Sequence, residues 1–597
     1  MMSLRNSVTG ARSALAAAAI AVLLVVSGCA SLPDASTPQA IGTVNTDPPG
    51  SSVVAPAPGR APDLLLRDFF EAITDPSDQH LAARQFLTPT EAESWDDAGS
   101  VTVVDKIDVL PEERTADRAT YTIRANKVGQ LEPGGQYVAM DGSFQTEISL
   151  SRDDGEWRIS ELPDGVILDR AKFLNSYQRK SLYFLDPSET MVVPDPRWVW
   201  APQDRMALQL VDLLIDGPKG ALSSAVRNEL GGDVSVVGQI MKADGRSVHV
   251  GLNLGGIRID FAGLGAKDEL AKQLFAAQVI WTLANAGISG PYVLLADGQP
   301  LDNRYPNGWT TADVASMNPF ATSSAAVGLH ALREGSMVSV AGGGVTPVPG
   351  YFGSTGNMRS LALSQDGRMV AAVADTGLDE PEPTSALMVG TYGEGAAMVL
   401  EGDAITRPTW APGGSAIWAV VNGDKVIRVL RDPATGRTSV VDVDAGAIRA
   451  LGSTITELRL SRDGVRAALI VDGKVYLAIV TQLPNGEYSL TNPHAVANGL
   501  GSPAVSLDWS TSDTIVVARS ASEMPVVQVA VDGSRLDALP SRNLTTPVVA
   551  VDASTTTEFV ADARAVFQLN NNDPAGDRYW REVPGLTGVK AIPIQPG

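Results

Sequence analysis

The most reactive side chain in the sequence is the thiol of Cys29, because this is the only cysteine in 597 residues. Two small residues, Ser27-Gly28, come directly before it, and residues 14–26 form a short apolar run ahead of them. Arg5 and Arg12 place positive charge before that run. A positive start, an apolar core and small residues before a cleavage point are the three parts of a secretory signal. We therefore expect cleavage in front of Cys29.

The tetrapeptide Val26-Ser27-Gly28-Cys29 resembles the bacterial lipobox. In lipobox signals a diacylglycerol alkylates the cysteine thiol, the signal is cut off just before that cysteine, and the new amino terminus can be acylated as well. The resemblance implies that residues 1–28 are a lipoprotein signal peptide. It also implies that Val26, Ser27 and Gly28 are the recognition residues and that Cys29 is the lipid-attachment site.

A lipid on Cys29 would be the main attachment of this chain to a membrane. The apolar run of thirteen residues is shorter than the roughly 20 that cross a hydrocarbon layer. The formal net charge is −22, and an acidic surface is a poor partner for nucleic acid or anionic headgroups. We expect a diacylglyceryl group and an N-linked acyl chain such as palmitate, which together anchor the protein on the extracytoplasmic face of the cell membrane.

The remaining residues with catalytic or metal-binding potential do not form a recognisable motif. The four histidines, His80, His249, His330 and His494, are far apart, and no pair has the spacing of a zinc site. We find no nucleophile elbow, phosphate-binding loop or dinucleotide fingerprint. The acidic run 379–382 could hold calcium loosely, although a solvated loop explains it better. We therefore predict a protein that is not an enzyme, with no catalytic residue, metal or cofactor.

The mature chain is predicted to begin with a tether, which is followed by a folded domain. Residues 29–60 are rich in Pro, Ser, Thr, Ala and Gly, so they cannot bury a core and are expected to be a disordered tether. Apolar residues over 63–74 follow helical spacing, and Thr88-Pro89-Thr90-Glu91 is typical of a capped helix start. Alternating residues then predict a meander of strands over 101–109, 119–127, 136–150 and 156–161.

Helices followed by a long antiparallel meander make residues 61–175 an α+β domain. The order resembles the nuclear-transport-factor-like cone, in which a curved sheet wraps helices around a pocket. Some members of that superfamily are enzymes, so Asp105, Asp108 or Tyr121 could face such a pocket. Solvated strand positions are the better interpretation of these three residues, since fold analogy alone carries no chemistry.

Residues 176–320 are predicted to form a second α+β domain. The pattern predicts a strand at 182–185, further strands at 191–193 and 197–200, and a helix over 204–215 that stops at Asp216-Gly217-Pro218. Strands at 234–241 and 247–254, a long helix over 268–285 and a strand at 292–296 follow.

This succession resembles the GerMN domain. The resemblance rests on the opening Leu182-Tyr183-Phe184-Leu185, the Asp-Gly-Pro helix end, Ile280-Trp281-Thr282-Leu283 in the long helix, and Asp297-Gly298 after the last strand. Many GerMN members have Asp-Leu-Ser where this chain has Asn253-Leu254-Gly255, so a role for that acidic residue is in doubt here. GerMN domains are not known as enzymes, and the resemblance implies binding or assembly.

From residue 321 to residue 597 a repeat replaces helical periodicity. Its copies begin with an apolar strand, end in a turn, and are followed by a second short strand; the turns centre on Ser364, Ala411, Ser461 and Ser510. Residues 549–554 are a weaker copy. A period in the forties is typical of propeller blades, so we predict a β-propeller of about six blades. Strands at 328–332 and 589–594 are candidates to close the ring.

The Ser-x-Asp-Gly sequence of the repeat predicts a tight turn between two strands. The Ser or Asp side chain can bond nearby backbone N–H groups, and Gly accepts a positive φ. These carboxylates are therefore expected to be turn-makers and not catalytic acids.

Trp198 and Trp200 alternate with Val199, so both indoles should point to one face of a strand. The simpler interpretation is that they cover the core of the GerMN domain. The alternative is a patch that binds a partner.

The order of lipobox, Pro-rich tether, cone-like domain, GerMN domain and degenerate propeller resembles the actinobacterial lipoprotein LpqB family over essentially the whole mature chain. The resemblance implies a binding accessory that contacts the extracellular domain of a sensor histidine kinase such as MtrB. Through the response regulator MtrA, such an accessory would affect cell-envelope homeostasis and division.

Two other classes of function remain open. A lipoprotein that binds envelope glycan or another ligand would use the propeller mouth or the cone pocket. A propeller hydrolase would need carboxylates that converge at the ring mouth, and a mouth lined only by Leu, Val and Ala would exclude it.

Overall fold

The computed structural model describes residues 55–596, apart from residues 203, 247–254, 265–266, 321–326 and 433. The predicted lipobox, Cys29, most of the predicted tether, His249 and the predicted strand at 247–254 lie outside the described residues. The described residues belong to one compact unit, within which three domains pack against one another.

The N-terminal domain packs helices on a five-stranded sheet. The helices are α1 (Pro62–Ala72), α2 (Ser77–Arg84), α3 (Pro89–Ser94) and α4 (Arg170–Ser176), and the strands are β1 (Val101–Arg114), β2 (Arg118–Glu132), β3 (Gln136–Asp153), β4 (Glu156–Glu161) and β5 (Val166–Asp169). The sheet order is β4-β3-β2-β1-β5, with β5 parallel to β1. The predicted α+β class is confirmed.

Local sequence explains the helix starts of this domain. Leu65, Leu66 and Phe69 recur at helical spacing in α1 and are buried. The Thr88 side chain accepts a hydrogen bond from the N–H of Glu91, with Pro89 in the first turn of α3, as predicted. The pattern did not reveal α2 or β5. Helix α2 has a kinked backbone, and β5 is a strand of four residues whose partner β1 is more than sixty residues earlier.

The middle domain consists of a two-stranded hairpin, a small mixed sheet and two helices. Its elements are β6 (Gln178–Leu185), β7 (Val192–Val199), α5 (Met206–Asp216), β8 (Ser235–Val236), β9 (Met241–Lys242), β10 (Ile257–Ala262), α6 (Glu269–Asn285), β11 (Tyr292–Ala296) and β12 (Gln299–Pro300). The sheet order is β12-β11-β10-β8, and β9 also pairs with β10. Helix α6 is buried along most of its length because it passes between the hairpin and this sheet.

Two expectations for the middle domain need correction. The strand predicted at 234–241 is largely irregular, since only 235–236 and 241 are paired. The two short strands predicted at 191–193 and 197–200 are one strand, β7, which continues through Pro194 and Pro196. Proline lacks an N–H, but these two residues are two positions apart, so both missing groups are on the side of β7 that faces away from β6.

The third domain is a propeller of six four-stranded sheets among the described residues, which confirms the predicted fold and blade number. Blade 1 combines β13 (Leu329–Arg333), β14 (Ser336–Ala341) and β15 (Gly344–Pro347) with the last strand, β36 (Ile592–Ile594). This pairing of β13 with β36 closes the ring between the predicted strands.

The other five blades use consecutive strands. Blade 2 contains β16 (Met358–Leu363), β17 (Met369–Asp375), β18 (Ser385–Thr391) and β19 (Ala396–Gly402), and blade 3 contains β20 (Thr409–Trp410), β21 (Ala416–Val421), β22 (Lys425–Arg431) and β23 (Thr438–Asp442). Blade 4 contains β24 (Ile455–Leu460), β25 (Arg466–Val471), β26 (Lys474–Gln482) and β27 (Tyr488–Ala495), and blade 5 contains β28 (Ala504–Thr511), β29 (Thr514–Arg519), β30 (Val526–Ala530) and β31 (Leu536–Ala538). Blade 6 contains β32 (Ala550–Ala553), β33 (Thr557–Ala561), β34 (Val566–Asn570) and β35 (Arg581–Glu582). A short helix, α7 (Gly446–Arg449), lies between blades 3 and 4.

The Ser-x-Asp-Gly turns join the first two strands of a blade, as predicted. In blade 4 the hydroxyl of Ser461 donates to Asp463 at 2.5 Å and accepts from the N–H of Arg466 at 3.0 Å. In blade 2 Ser364 makes the same two bonds, to Asp366 at 2.7 Å and from the N–H of Met369 at 2.9 Å. The two turns differ in their surroundings, because the Asp463 side chain is fully buried and the Asp366 side chain is 59% exposed.

We expect Ser461→Ala to lower the free energy of unfolding of the propeller by about 1–3 kcal/mol, because the buried Asp463 cannot replace its lost donor with water. The matched variant Ser364→Ala should cost about 0.5–1.5 kcal/mol, since water can reach Asp366. Urea unfolding of both variants beside the wild type measures the difference. Equal losses in the two turns would contradict this explanation.

Candidate functional site

The indole of Trp198 lies where the three domains meet. Trp198 belongs to strand β7 of the middle domain, but its ring packs in the core of the N-terminal domain, 4.6 Å from the ring centre of Phe173. Its Nε1 donates a hydrogen bond of 3.0 Å to Asp532 of the propeller, and the Arg535 guanidinium lies 5.6 Å over the ring. With 1% of its surface exposed, Trp198 is enclosed by all three domains.

Two glycines allow the backbones to approach at this junction. Gly135 follows β2, and its carbonyl accepts a hydrogen bond of 2.7 Å from the N–H of Trp198. A Cβ on Gly135 would lie 2.6 Å from the Trp198 carbonyl oxygen, and a Cβ on Gly533 would lie 2.6 Å from the Cβ of Ala139. Both glycines also have a positive φ. A side chain at either position would push two domains apart.

A partly buried ion pair joins the hairpin to blade 5. Arg179 of β6 donates to Asp513 at 3.0 Å and to Asp532 at 3.4 Å, and Ser181 also donates to Asp513 at 3.4 Å. Burial would raise the pKa of the Asp513 carboxyl, but the Arg179 guanidinium and its hydrogen bonds hold that pKa below the usual value. Both partners are therefore charged at neutral pH, and removal of either one would leave an unpaired, partly buried charge.

A second contact joins the hairpin to blade 4. The Arg466 guanidinium donates to the Pro194 carbonyl at 2.6 Å, and Val193 shares a small apolar cluster with Val465 and Ile479 of the propeller. The Pro194 carbonyl is available because this side of β7 has no partner strand in its own sheet.

For Trp198, both interpretations of the tryptophan pair were wrong. Trp198 does not cover the core of the middle domain, because it packs in the core of the N-terminal domain. It is also not a free surface for a partner. Trp200 is half-buried and lines an open cleft of about 330 Å³ together with Tyr177 and Asp97. The hydrogen bonds of the hairpin to two other domains decide this placement, and the alternating pattern of the strand carries no information about them.

Charged residues fill the central channel of the propeller. Arg407 donates to Glu457 at 3.0 Å and to Asp552 at 3.0 Å, and Arg459 donates to Asp508 at 3.1 Å. All five side chains are almost entirely buried. The second oxygens of the two aspartates are also used, since Asp508 accepts from the N–H of Ala553 and Asp552 from the N–H of Gln595.

This ion network connects blades 1, 3, 4, 5 and 6 across the channel. The Arg407 and Arg459 guanidinium groups also donate to backbone carbonyls, so their charges are compensated and their N–H groups are partnered. Burial would raise the pKa of Asp508, but Arg459 and Arg407 hold that pKa below its usual value. Burial and the neighbouring charge of Asp508 raise the pKa of Asp552.

The channel mouth has little room for a substrate. The cavity at the carboxyl ends of the inner strands has a volume of about 20 Å³, enough for about one water molecule. Its lining is not the Leu, Val and Ala surface that would exclude a hydrolase, because Asp508 and Asp552 both reach it. However, these carboxylates are engaged in ion pairs and backbone hydrogen bonds instead of facing an open active site.

The repeat itself contained the signal for this network. Arg459, Asp508 and Asp552 each lie two residues before the turn serine of their blade, and Arg407 and Glu457 lie four residues before the turn. Positions two apart on a strand face the same side, so these charged residues all point into the channel. An alignment of the copies by their turns would have revealed the charges as a set.

The other residues singled out in the sequence remain separate from one another. His80 contacts Asp97 at 2.7 Å, His330 contacts the Tyr392 hydroxyl at 2.9 Å, and His494 lies by the backbone of Val531. Burial lowers the pKa values of His330 and His494. Within the described ranges, no group of three or more His, Cys, Asp or Glu side chains is arranged to hold a metal.

The three strand positions considered for a cone pocket also differ from one another. Asp108 is exposed, as expected of a solvated position, and Asp105 is half-buried 3.9 Å from Arg170. Tyr121 is an error of the prediction, because its side chain is buried in the domain core, and burial raises its pKa. The exposed acidic run 379–382 makes no metal cluster.

Comparison with known proteins identifies the family of this chain. Family models match it in three places: "Lipoprotein LpqB, N-terminal domain" over residues 55–174, "Sporulation and spore germination" over 181–302, and "Lipoprotein LpqB beta-propeller domain" over 335–596. The protein "Lipoprotein LpqB" of Rhodococcus jostii is 79% identical over 99% of both chains. The chain belongs to the lipoprotein LpqB family.

More distant LpqB proteins share the same full-length organisation. The LpqB protein of Mycobacterium ulcerans is 42% identical over 98% of this chain and 100% of its own. These relatives are named as lipoproteins and not as enzymes. Among solved structures, the periplasmic gluconolactonase of Pseudomonas aeruginosa matches 40% of this chain and 74% of its own at 18% identity and a TM-score of 0.29. We draw no conclusion about activity from that likeness.

The helices of the LpqB chain that the structure describes are too short or too polar to cross a bilayer.

We expect Trp198→Phe to weaken the docking of the propeller, because it keeps an aromatic ring beside Phe173 but removes the hydrogen bond to the Asp532 carboxylate. The loss should be about 1.5–3 kcal/mol, as for a hydrogen bond to a charged group. Hydrogen exchange of peptides covering β7 measures the change in local opening.

The matched control is Trp200→Phe, one residue beyond the end of β7. Because Trp200 is half-buried and has no such bond among the described residues, its loss should be below about 1 kcal/mol. If the two variants increased exchange in β7 equally, the assigned role of the Trp198 hydrogen bond would be wrong.

Proposed function

We propose that this LpqB protein is a lipid-anchored accessory that binds the extracytoplasmic domain of a sensor histidine kinase of the MtrB type and modulates its signalling. Through that two-component system it would affect cell-envelope homeostasis and division. Family membership supports the proposal, as does a propeller channel closed by ion pairs and better suited to a scaffold than to catalysis.

The proposal includes a lipid anchor at Cys29 on the outer leaflet. The lipobox-like tetrapeptide before this residue and the name of the family support it. The residues after Cys29 would act as a tether that lets a rigid three-domain body search for the kinase close to the membrane. Two acyl chains bind a bilayer much more firmly than one, so the local concentration of this protein near a membrane receptor would be high.

The single observation that best supports a protein partner is an apolar rim on blades 2 and 3. Their outermost strands, β19 and β23, contact each other, and each has one free backbone edge in its sheet. Met398 is 56% exposed, Val440 41% and Val441 39%. Proteins normally protect a free strand edge with charged residues, proline or a bulge. An edge that instead exposes apolar side chains pairs readily with a strand of another chain.

We therefore propose that a strand of the kinase's extracytoplasmic domain docks on β23, with its apolar side chains against Val440 and Met398. The backbone hydrogen bonds of the added strand would supply affinity, and the apolar side chains would supply selectivity.

The test uses the full-length protein in its native membrane with a photo-crosslinking amino acid at position 440. Irradiation should recover the kinase as a covalent adduct. The double variant Val440→Asp and Val441→Asp should reduce kinase recovery by conventional pulldown at least about tenfold, which corresponds to about 1.4 kcal/mol of binding free energy. The matched control is Val549→Asp, at a residue that is 53% exposed elsewhere on the propeller.

A second variant separates anchoring from docking. Cys29→Ala should release the protein from the membrane fraction and lower kinase crosslinking, while Val440→Asp should leave the protein on the membrane. Native protein whose residue 29 carries no lipid by mass spectrometry would contradict the anchor. Crosslinks from position 440 that contain only envelope glycan, or no kinase at all, would contradict the kinase proposal.

A further inference from the structure

Arg462 differs from the other two arginines at the mouth of the propeller channel. Arg407 and Arg459 each have carboxylate partners, whereas the described residues contain no carboxylate within 4.0 Å of the Arg462 guanidinium. One of its terminal nitrogens donates to the Ala553 carbonyl at 3.2 Å. Its Nε is enclosed and has no hydrogen-bond partner in the structure.

Arg462 as a whole is half-buried, but its Nε is enclosed, and an enclosed donor without a partner is costly. Arginine cannot relieve this cost by losing its proton under ordinary conditions. Burial lowers the pKa of Arg462, whereas the charges of Asp508 and Asp552 raise it and the charge of Arg459 lowers it. The side chain therefore has an unused donor and no carboxylate in direct contact among the described residues.

Polar groups next to Arg462 also remain unused. Gln365 and Gln595 line the same cavity, and their side-chain amides make no hydrogen bond among the described residues. Pro412 and Pro596 supply apolar walls. The cavity of about 20 Å³ is large enough for the end of a small polar group but not for a whole sugar or nucleotide.

The position of these residues in the repeat explains why they meet. Gln365 and Arg462 both occupy the second position of a Ser-x-Asp-Gly turn, whose serine and aspartate hold the turn itself. The second position is left free to point over the channel mouth. Gln595 arrives from the strand that closes the ring, next to Asp552.

We propose that the mouth of the propeller channel is a binding site for the carboxylate group of a small organic acid, with Arg462 as the main ligand-binding residue. The planar guanidinium fork matches two carboxylate oxygens, and the amides of Gln365 and Gln595 can bond polar groups beside the carboxylate. This inference goes beyond kinase binding and does not depend on it.

The neighbouring charges favour a carboxylate over a phosphate. Asp508 lines the same cavity as Arg462, and its pKa lies below the usual value, so it is ionised. A phosphate near neutral pH carries more negative charge than a carboxylate, so Asp508 repels it more strongly. Its tetrahedral oxygens also need more room than the narrow cavity provides.

The test uses the full-length lipidated protein in detergent micelles and equilibrium dialysis with radiolabelled acetate and lactate. Parallel dialyses contain inorganic phosphate or chloride at the same ionic strength. We expect saturable binding of one acetate or lactate per chain and weaker binding of phosphate. Arg462→Gln should reduce the affinity for both acids at least about tenfold, and Gln595→Ala should reduce it by a smaller factor.

Two further variants keep the result interpretable. Arg368→Gln is the matched control, because Arg368 directly follows the blade 2 turn and is 83% exposed, and its affinity should be unchanged. Arg462→Lys keeps the charge but removes the planar fork, so it should bind acetate with intermediate affinity even if Arg462→Gln fails to fold. Absence of saturable acetate or lactate binding, or equal binding by wild type and Arg462→Lys, would overturn the proposal. Preferential phosphate binding would overturn the carboxylate assignment.

Discussion

The enclosure of the Trp198 indole is the interaction on which the domain arrangement depends. One side chain belongs to the middle domain by sequence, to the N-terminal domain by packing, and to the propeller by its hydrogen bond to Asp532. The Arg179–Asp513 pair next to it is partly buried and charged, so separation of the domains would break this ion pair. The three domains therefore behave as one body, and a ligand or partner at one of them contacts a surface whose position relative to the others is set.

The propeller is held by a second set of buried charges. Most propellers close their ring by strand pairing, and β13 with β36 does so here. The ion pairs of Arg407 and Arg459 add a second connection across the channel. Each carboxylate in this network is paired with an arginine, and the two aspartates also accept a hydrogen bond from a backbone N–H. Such a fully partnered network is compatible with burial, whereas a partly partnered one is costly. Arg462, at the edge of this network, has no carboxylate partner among the described residues, and for this reason we propose it as a binding residue.

The local elements were predictable to different degrees. The long helix α6, the strand β11, the turns of the repeat and the closing strands followed from periodicity and turn chemistry, because each depends on neighbours in the sequence. The four-residue strand β5 was not predictable, because its partner β1 is distant in the sequence. The continuity of β7 was not predictable either, because it depends on two prolines whose missing N–H groups face away from β6, towards other domains. The sequence predicted the propeller mouth as a possible binding site but not its charged lining. Prediction of that lining requires an alignment of the repeat copies, which the strand pattern alone does not suggest.

The sequence by itself determined the class of each domain, the approximate number of blades, the absence of recognisable catalytic motifs and the resemblance to the LpqB family. These properties depend on composition, periodicity and short motifs, all of which are local. The tertiary structure alone decided where Trp198 points, which carboxylates meet Arg407 and Arg459, and that Arg462 has none. Those outcomes depend on contacts between residues roughly 50 to several hundred positions apart, and the energy of a buried charge or indole is set by which groups surround it in space.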